Sequence, residues 1–144
     1  TYKVAGIDPL ELICEKLKVP YVNNCIFMTA WWRGQKFEFF ARHGNTSSQT
    51  KGGKHNAAAR PLQFVEDVQF VLMGHVHDQM TNKVCKLVKN YSTFNIDQRE
   101  VHVIVCPSFL DYWGYASKIA LSPGSTGVTA CTLYDNGKCR TDTW

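Results

Sequence analysis

The stretch that most constrains what this chain can fold into spans residues 68–78. Residues 68–73 have the length and the Val/Phe-rich make-up of a strand, without polar alternation, so they are predicted to be buried on both faces. Such a strand requires cover above and below. Gly74 gives the backbone room to turn at the strand end, and the i, i+2 spacing of His75 and His77 can aim both imidazoles into one region. A second strand pattern, residues 36–42, ends at His43-Gly44, with His43 on the same face as Phe37, Phe39 and Ala41. His43, His75 and His77 are therefore candidate metal ligands.

The chain order around this centre reads as a mixture of helices and strands. Asp8-Pro9 is a helix cap followed by proline at the first helical position, and Leu10, Ile13, Cys14 and Leu17 form one apolar face of a helix ending near Lys18. Residues 25–32 and 36–42 are predicted to pair as a hairpin through Arg33-Gly34-Gln35, with Trp31 and Trp32 as packing or edge cover. Residues 44–55 form a polar, basic, glycine-containing loop that passes over any metal site at His43. It reads either as a flexible connection or as a phosphate-holding loop, with Lys51 and Lys54 as candidate substrate-binding residues. It is not a Walker A loop, because no serine or threonine follows Gly53-Lys54. His55 is expected to be solvated.

Residues 56–65 favour a helix, with Pro61 as a kink or as the start of a second short helix. Asp78 either orients a histidine or caps a turn. Residues 84–89 are a short strand candidate. Residues 100–106 are a stronger one, with Val101, Val103 and Val105 on one face and His102 on the other as a packing residue. Residues 107–123 carry Phe109, Tyr112, Trp113 and Tyr115 in an aromatic loop that lines a cleft or covers the core. Residues 126–134 and 138–143 close the chain as a hairpin over Asp135-Asn136-Gly137.

Bulk properties bound the function classes. At 144 residues the chain has the size of one domain, and 44% hydrophobic with 19% charged residues argues against disorder. A net charge of +4 favours anionic partners such as phosphoesters without marking a nucleic-acid binder. Six cysteines without a Cys-x-x-Cys pair, several within apolar runs, read as buried thiols in a reducing compartment, hence a cytoplasmic protein. No apolar stretch reaches the ~18 residues of a membrane span, so no membrane partner is expected.

Gly-His-x-His after a buried strand, with a His-Gly a few tens of residues upstream, resembles the last two motif blocks of the calcineurin-like metallophosphoesterases. That family builds a two-metal phosphoester hydrolase from five blocks, Asp-x-His, Gly-Asp-x-x-Asp, Gly-Asn-His-Asp/Glu, His and Gly-His-x-His. The resemblance implies that His43 and His75 ligate one metal and His77 the other. It also implies a fold that is the rear half of a four-layer αββα sandwich, an α/β (α+β) arrangement with a mostly mixed or antiparallel sheet and flanking helices.

The first three blocks have no counterpart in residues 1–42: Asp8 and Asn23-Asn24 match none of them. Residues 1–144 are thus expected to be the C-terminal portion of a single metallophosphoesterase-like domain, completed by a missing N-terminal half or a partner chain that covers an exposed apolar face. The implied function is a metal-dependent phosphoester hydrolase, a phosphomonoesterase or phosphodiesterase, to which this chain supplies half of a dinuclear site. Its cofactors are divalent Mn, Fe, Zn or Ni ions, and nucleic acid is one possible substrate. The alternatives are a non-catalytic module of the same fold and a mononuclear zinc site held by His43, His75 and His77.

Overall fold

The computed structural model describes residues 8–108, 113, 118 and 124–144. Helix α1, Pro9–Leu17, starts as expected: the Asp8 carboxylate accepts from the Leu10 amide at 2.9 Å, and Lys18 ends the helix in the left-handed conformation. None of its residues is buried, so the apolar face read from Leu10, Ile13 and Leu17 is exposed.

Strands β1, Cys25–Trp32, and β2, Gln35–Arg42, pair antiparallel with Trp32 opposite Gln35. The connection is therefore two residues, Arg33-Gly34, not three; both have positive φ (47° and 79°), the conformation of a tight hairpin turn. Helix α2, Lys51–Ala59, and a 3-10 turn, Arg60–Gln63, lead to strand β3, Phe70–Met73. Residues 51–55, expected in a loop, are helical. The Thr50 hydroxyl caps the Gly53 amide at 3.2 Å, which offsets the poor helix propensity of two adjacent glycines. Pro61 lies in the 3-10 turn, where its missing N–H breaks no ladder.

Strands β4, Met80–Lys89, and β5, Ile96–Val105, form a ten-residue antiparallel pair, longer at both candidates than the sequence pattern indicates. Strands β6, Thr129–Leu133, and β7, Cys139–Thr143, make the expected closing hairpin. The main sheet runs β1-β2-β3-β5-β4, with β2, β3 and β5 parallel and both outer strands antiparallel to their neighbours. The fold is thus mixed α/β.

Strand alternation sorts the core onto two faces. Phe40, Val71, Met73, Val101, Val103 and Val105 face α2 and the 3-10 turn, where Ala58 and Val65 meet them. Phe37, Phe70 and Ile104 face the other way, against Cys131, Leu133 and Cys139 of the β6–β7 hairpin. The central strand β3 is covered on both sides, as its unbroken apolar run requires. Strand β1, by contrast, exposes Phe27, Met28, Trp31 and Trp32. No helix is long and apolar enough to cross a membrane among the described residues.

All six cysteines are free thiols, but the expectation that they are buried fails: Cys25 and Cys85 are exposed and the other four are partly covered. Of the four aromatics of residues 107–123, only Trp113 is among the described residues, and it is exposed. Phe109, Tyr112 and Tyr115, like the lead at residues 1–7, lie outside the described residues.

Candidate metal centre at two strand exits

Parallel pairing brings the strand exits together. Arg42 is in register with Met73, and Met73 with Val105, so β2, β3 and β5 finish at one level. The Gly74 amide donates to the Arg42 carbonyl at 3.2 Å, and the Cys106 amide to the Met73 carbonyl at 2.8 Å, which extends the ladder by one step. Loops leaving the carboxyl ends of neighbouring parallel strands are the usual place for a site in such sheets. His43 leaves β2 and His75 leaves β3, with ring centroids 4.6 Å apart; His77 follows with its ring 6.3 Å from that of His75.

The backbone that aims these rings is unusual. Turning is done not by Gly74 but by the histidines: His75 has φ 74° and His77 φ 49°. A Cβ on residue 74 would meet nothing closer than the His43 carbonyl oxygen at 3.6 Å, an ordinary contact. The Val76 amide donates to the Gly74 carbonyl at 3.0 Å, a two-residue closure around His75 that marks a γ-turn of positive φ. Left-handed backbone costs a non-glycine residue about 1–2 kcal/mol, and such residues concentrate where a side chain must be aimed.

Two glycines hold the turn in place. Gly44, at φ 83°, lies so close to β3 that a Cβ would sit 2.3 Å from Met73 Cγ; one on Gly124 would sit 2.2 Å from the His77 carbonyl oxygen. The His43-Gly44 dipeptide was the sequence signal for the first; Gly124 carried none. The Arg42 guanidinium donates to the Ala57 carbonyl at 2.6 Å and ties the end of β2 to α2.

Electrostatics keep at least one ring a nitrogen donor. Partial burial, then the neighbouring His43 and His77, hold the pKa of His75 below the ordinary imidazole value, so its ring is neutral at pH 7. Neutral imidazole is the form that binds metal. The exit of β5 brings Cys106, whose burial raises its thiol pKa and keeps it protonated.

Lys54 and Asp78 form an ion pair of 3.1 Å with 14% and 12% of their side chains exposed. Asp78 also accepts from the Gln79 amide at 2.9 Å, so its two oxygens go to Lys54 and to its own turn. That fixes the turn-capping reading of Asp78 and leaves Lys54 engaged with a carboxylate. Lys51 is exposed in the first turn of α2. His55 is half-buried, not solvated, with an Nε2 that has no hydrogen-bond partner.

Two grooves lie along the segments on either side of His43 in the chain, and His43 lines one of them. One, of about 380 Å³, is lined by His43 itself with Asp8, Tyr21, Asn23 and Asn24; there the Tyr21 hydroxyl donates to Asp8, which pushes its pKa up to about 12. The other, of about 710 Å³, is lined by Asn45, Thr46, Ser47, Asn56, Arg60 and Gln63.

Among the described residues no group of three or more His, Cys, Asp or Glu side chains is arranged to hold a metal ion, so His43, His75 and His77 do not by themselves form a complete site. Comparison with protein-family models, with curated proteins and with solved structures returned no match.

Proposed function

We propose that the chain supplies the histidine half of a dinuclear, metal-dependent phosphoester hydrolase. One observation carries this reading: imidazoles from the exits of two adjacent parallel strands converge, with rings 4.6 Å and 6.3 Å apart. In the proposal His43 and His75 hold one divalent ion and His77 the second, and the sheet is the rear sheet of an αββα sandwich. Two divalent ions, when bound, clamp phosphoryl oxygens and lower the pKa of an attacking water.

This chain's own residues bind and orient. Asn45, Thr46, Asn56 and Arg60 line the groove that begins two residues after His43, and their amide, hydroxyl and guanidinium groups are donors of the type that phosphate oxygens accept. Lys51, exposed in the first turn of α2, is the further point charge in this reading. The bridging carboxylate that would offset repulsion between two cations comes, in this reading, from a separate N-terminal half or partner chain.

The test is metal content after gel filtration of the 144-residue chain loaded with Mn²⁺ or Zn²⁺, for wild type and for His43→Ala, His75→Ala and His77→Ala. Affinity should fall by more than the ~10- to 100-fold that loss of an outer-shell partner costs. Equal metal content in all four chains refutes the assignment. Hydrolysis of bis(p-nitrophenyl) phosphate, with and without a complementing N-terminal half, then tests the reaction.

A second reading, a non-catalytic interaction module, is favoured by the apolar side chains that α1 and β1 leave exposed. It expects no stoichiometric metal in wild type.

A further inference from the structure

A second chemical feature sits on the sheet face away from the helices. His102, in β5, is 2% exposed, with its ring stacked on Phe70 at a centroid distance of 5.3 Å. Its Nε2 lies 2.9 Å from Sγ of Cys139, the first residue of β7, and its Nδ1 is buried with no hydrogen-bond partner. The two side chains line a groove of about 880 Å³ between the sheet and the β6–β7 hairpin.

Packing alone does not account for an imidazole here. A buried polar nitrogen without a partner costs about 1–3 kcal/mol, and phenylalanine would make the same stack on Phe70 without that cost. The contact with Cys139 is instead that of a nucleophile and its base within hydrogen-bond reach. Burial raises the thiol pKa and lowers that of the imidazole, so both partners rest in the neutral form and the proton leaves sulfur only as sulfur attacks.

We propose that Cys139 is a thiol nucleophile whose proton His102 accepts, and that it is an oxidation site for small polar hydroperoxides. The groove's rim favours such a reactant. Lys83 pairs with Glu100 at 2.7 Å, Arg99 with Asp67 at 2.8 Å and Lys36 with Glu38, so all but Lys138 of the charges lining it are compensated. With hydrogen peroxide, Cys139 Sγ attacks one oxygen, the S–O bond forms and the O–O bond breaks. The thiol proton passes through His102 Nε2 to the departing oxygen, which leaves as water. Sulfur is oxidised to the sulfenic acid and the peroxide is reduced, so the step balances without another reactant.

The exposed Cys25 and Cys85 are internal references. Exposure alone would oxidise them first; a positioned base reverses the order. The experiment treats the chain with hydrogen peroxide and dimedone and follows adducts by peptide mass spectrometry, counting any disulfide that contains Cys139 with its adducts. Cys139 should react at least ~10-fold faster than either reference, a modest share of the ~10²- to 10⁴-fold that a positioned base contributes. His102→Gln should remove that advantage while Cys25 and Cys85 keep their rates, with circular dichroism reporting the fold. Slower oxidation of Cys139 than of Cys25 in wild type overturns the proposal, as does an unchanged Cys139 rate in a folded His102→Gln chain. Should that variant fail to fold, the wild-type ordering decides by itself.

Discussion

Adding one methyl group at residue 44 tests whether the crossing of the two exit loops is as tight as it is drawn. Gly44 has φ 83°, where alanine costs about 1–2 kcal/mol. Its Cβ would also lie 2.3 Å from Cγ and 2.8 Å from Sδ of Met73, and 3.1 Å from the Gly74 carbonyl oxygen. Methionine is flexible, but Met73 is fully buried beneath α2 among Ala58, Val103 and Val105, so turning it away repacks the core and adds about 1–3 kcal/mol. Gly34→Ala is the matched control: its φ is 79° and nothing lies within 4 Å of its Cβ, so it carries only the backbone cost.

Urea denaturation of both variants at a shared m-value gives the comparison. Gly44→Ala should lose ~1–3 kcal/mol more than Gly34→Ala, the overpacking share alone. It should also weaken metal retention at His43 and His75, whereas Gly34→Ala should not. Equal destabilisation would show that residues 44 and 73 do not approach as described, and the convergence of the histidine loops would lose its support.

Two further outcomes follow from buried ionisable groups. Asp78→Ala leaves the mostly covered Lys54 ammonium unpaired and should destabilise by about 1–3 kcal/mol, between the values for exposed and buried pairs, and Lys54→Met in the same chain should recover part of it; additive losses in urea melts would refute the pairing. Burial lowers the His102 pKa below 6.5 in the folded state, so the unfolded chain binds more protons; stability should be full above about pH 6.5 and fall on acidification toward the depressed value. The fall between pH 7.5 and 5.5 should be smaller in His102→Gln, and identical pH slopes would refute it.

The strand pattern was legible where the pattern was strong. The unbroken run ending at Met73 and the alternation ending at Arg42 marked two strands, and their histidines meet because β2 and β3 are parallel neighbours, a fact of topology that local spacing does not encode. Helix α2 was placed too late, since Gly52 and Gly53 argue against a helix while a cap from Thr50 and packing of Ala58 outweigh them. Strand β4 was placed too short because Met80-Thr81-Asn82-Lys83 pair by register with β5 at the sheet's margin, where one face needs no apolar residues. The pairing of His102 with Cys139 spans 37 residues and two sheets, and no motif announces it. The turn at His75 escaped for the opposite reason: glycine is the expected carrier of positive φ, and here histidine takes it.

Strand β1 has a practical consequence for anyone handling the isolated polypeptide. Its eight residues hold neither a charge nor a proline, and among the described residues β2 is its only neighbour in the sheet, so there its outer row of amides and carbonyls is an unguarded template. Preparations should therefore grow in apparent mass as they are concentrated. Light scattering is the sensible companion to every titration above, and a lysine placed at the outward-facing Trp31 is the first remedy for turbidity.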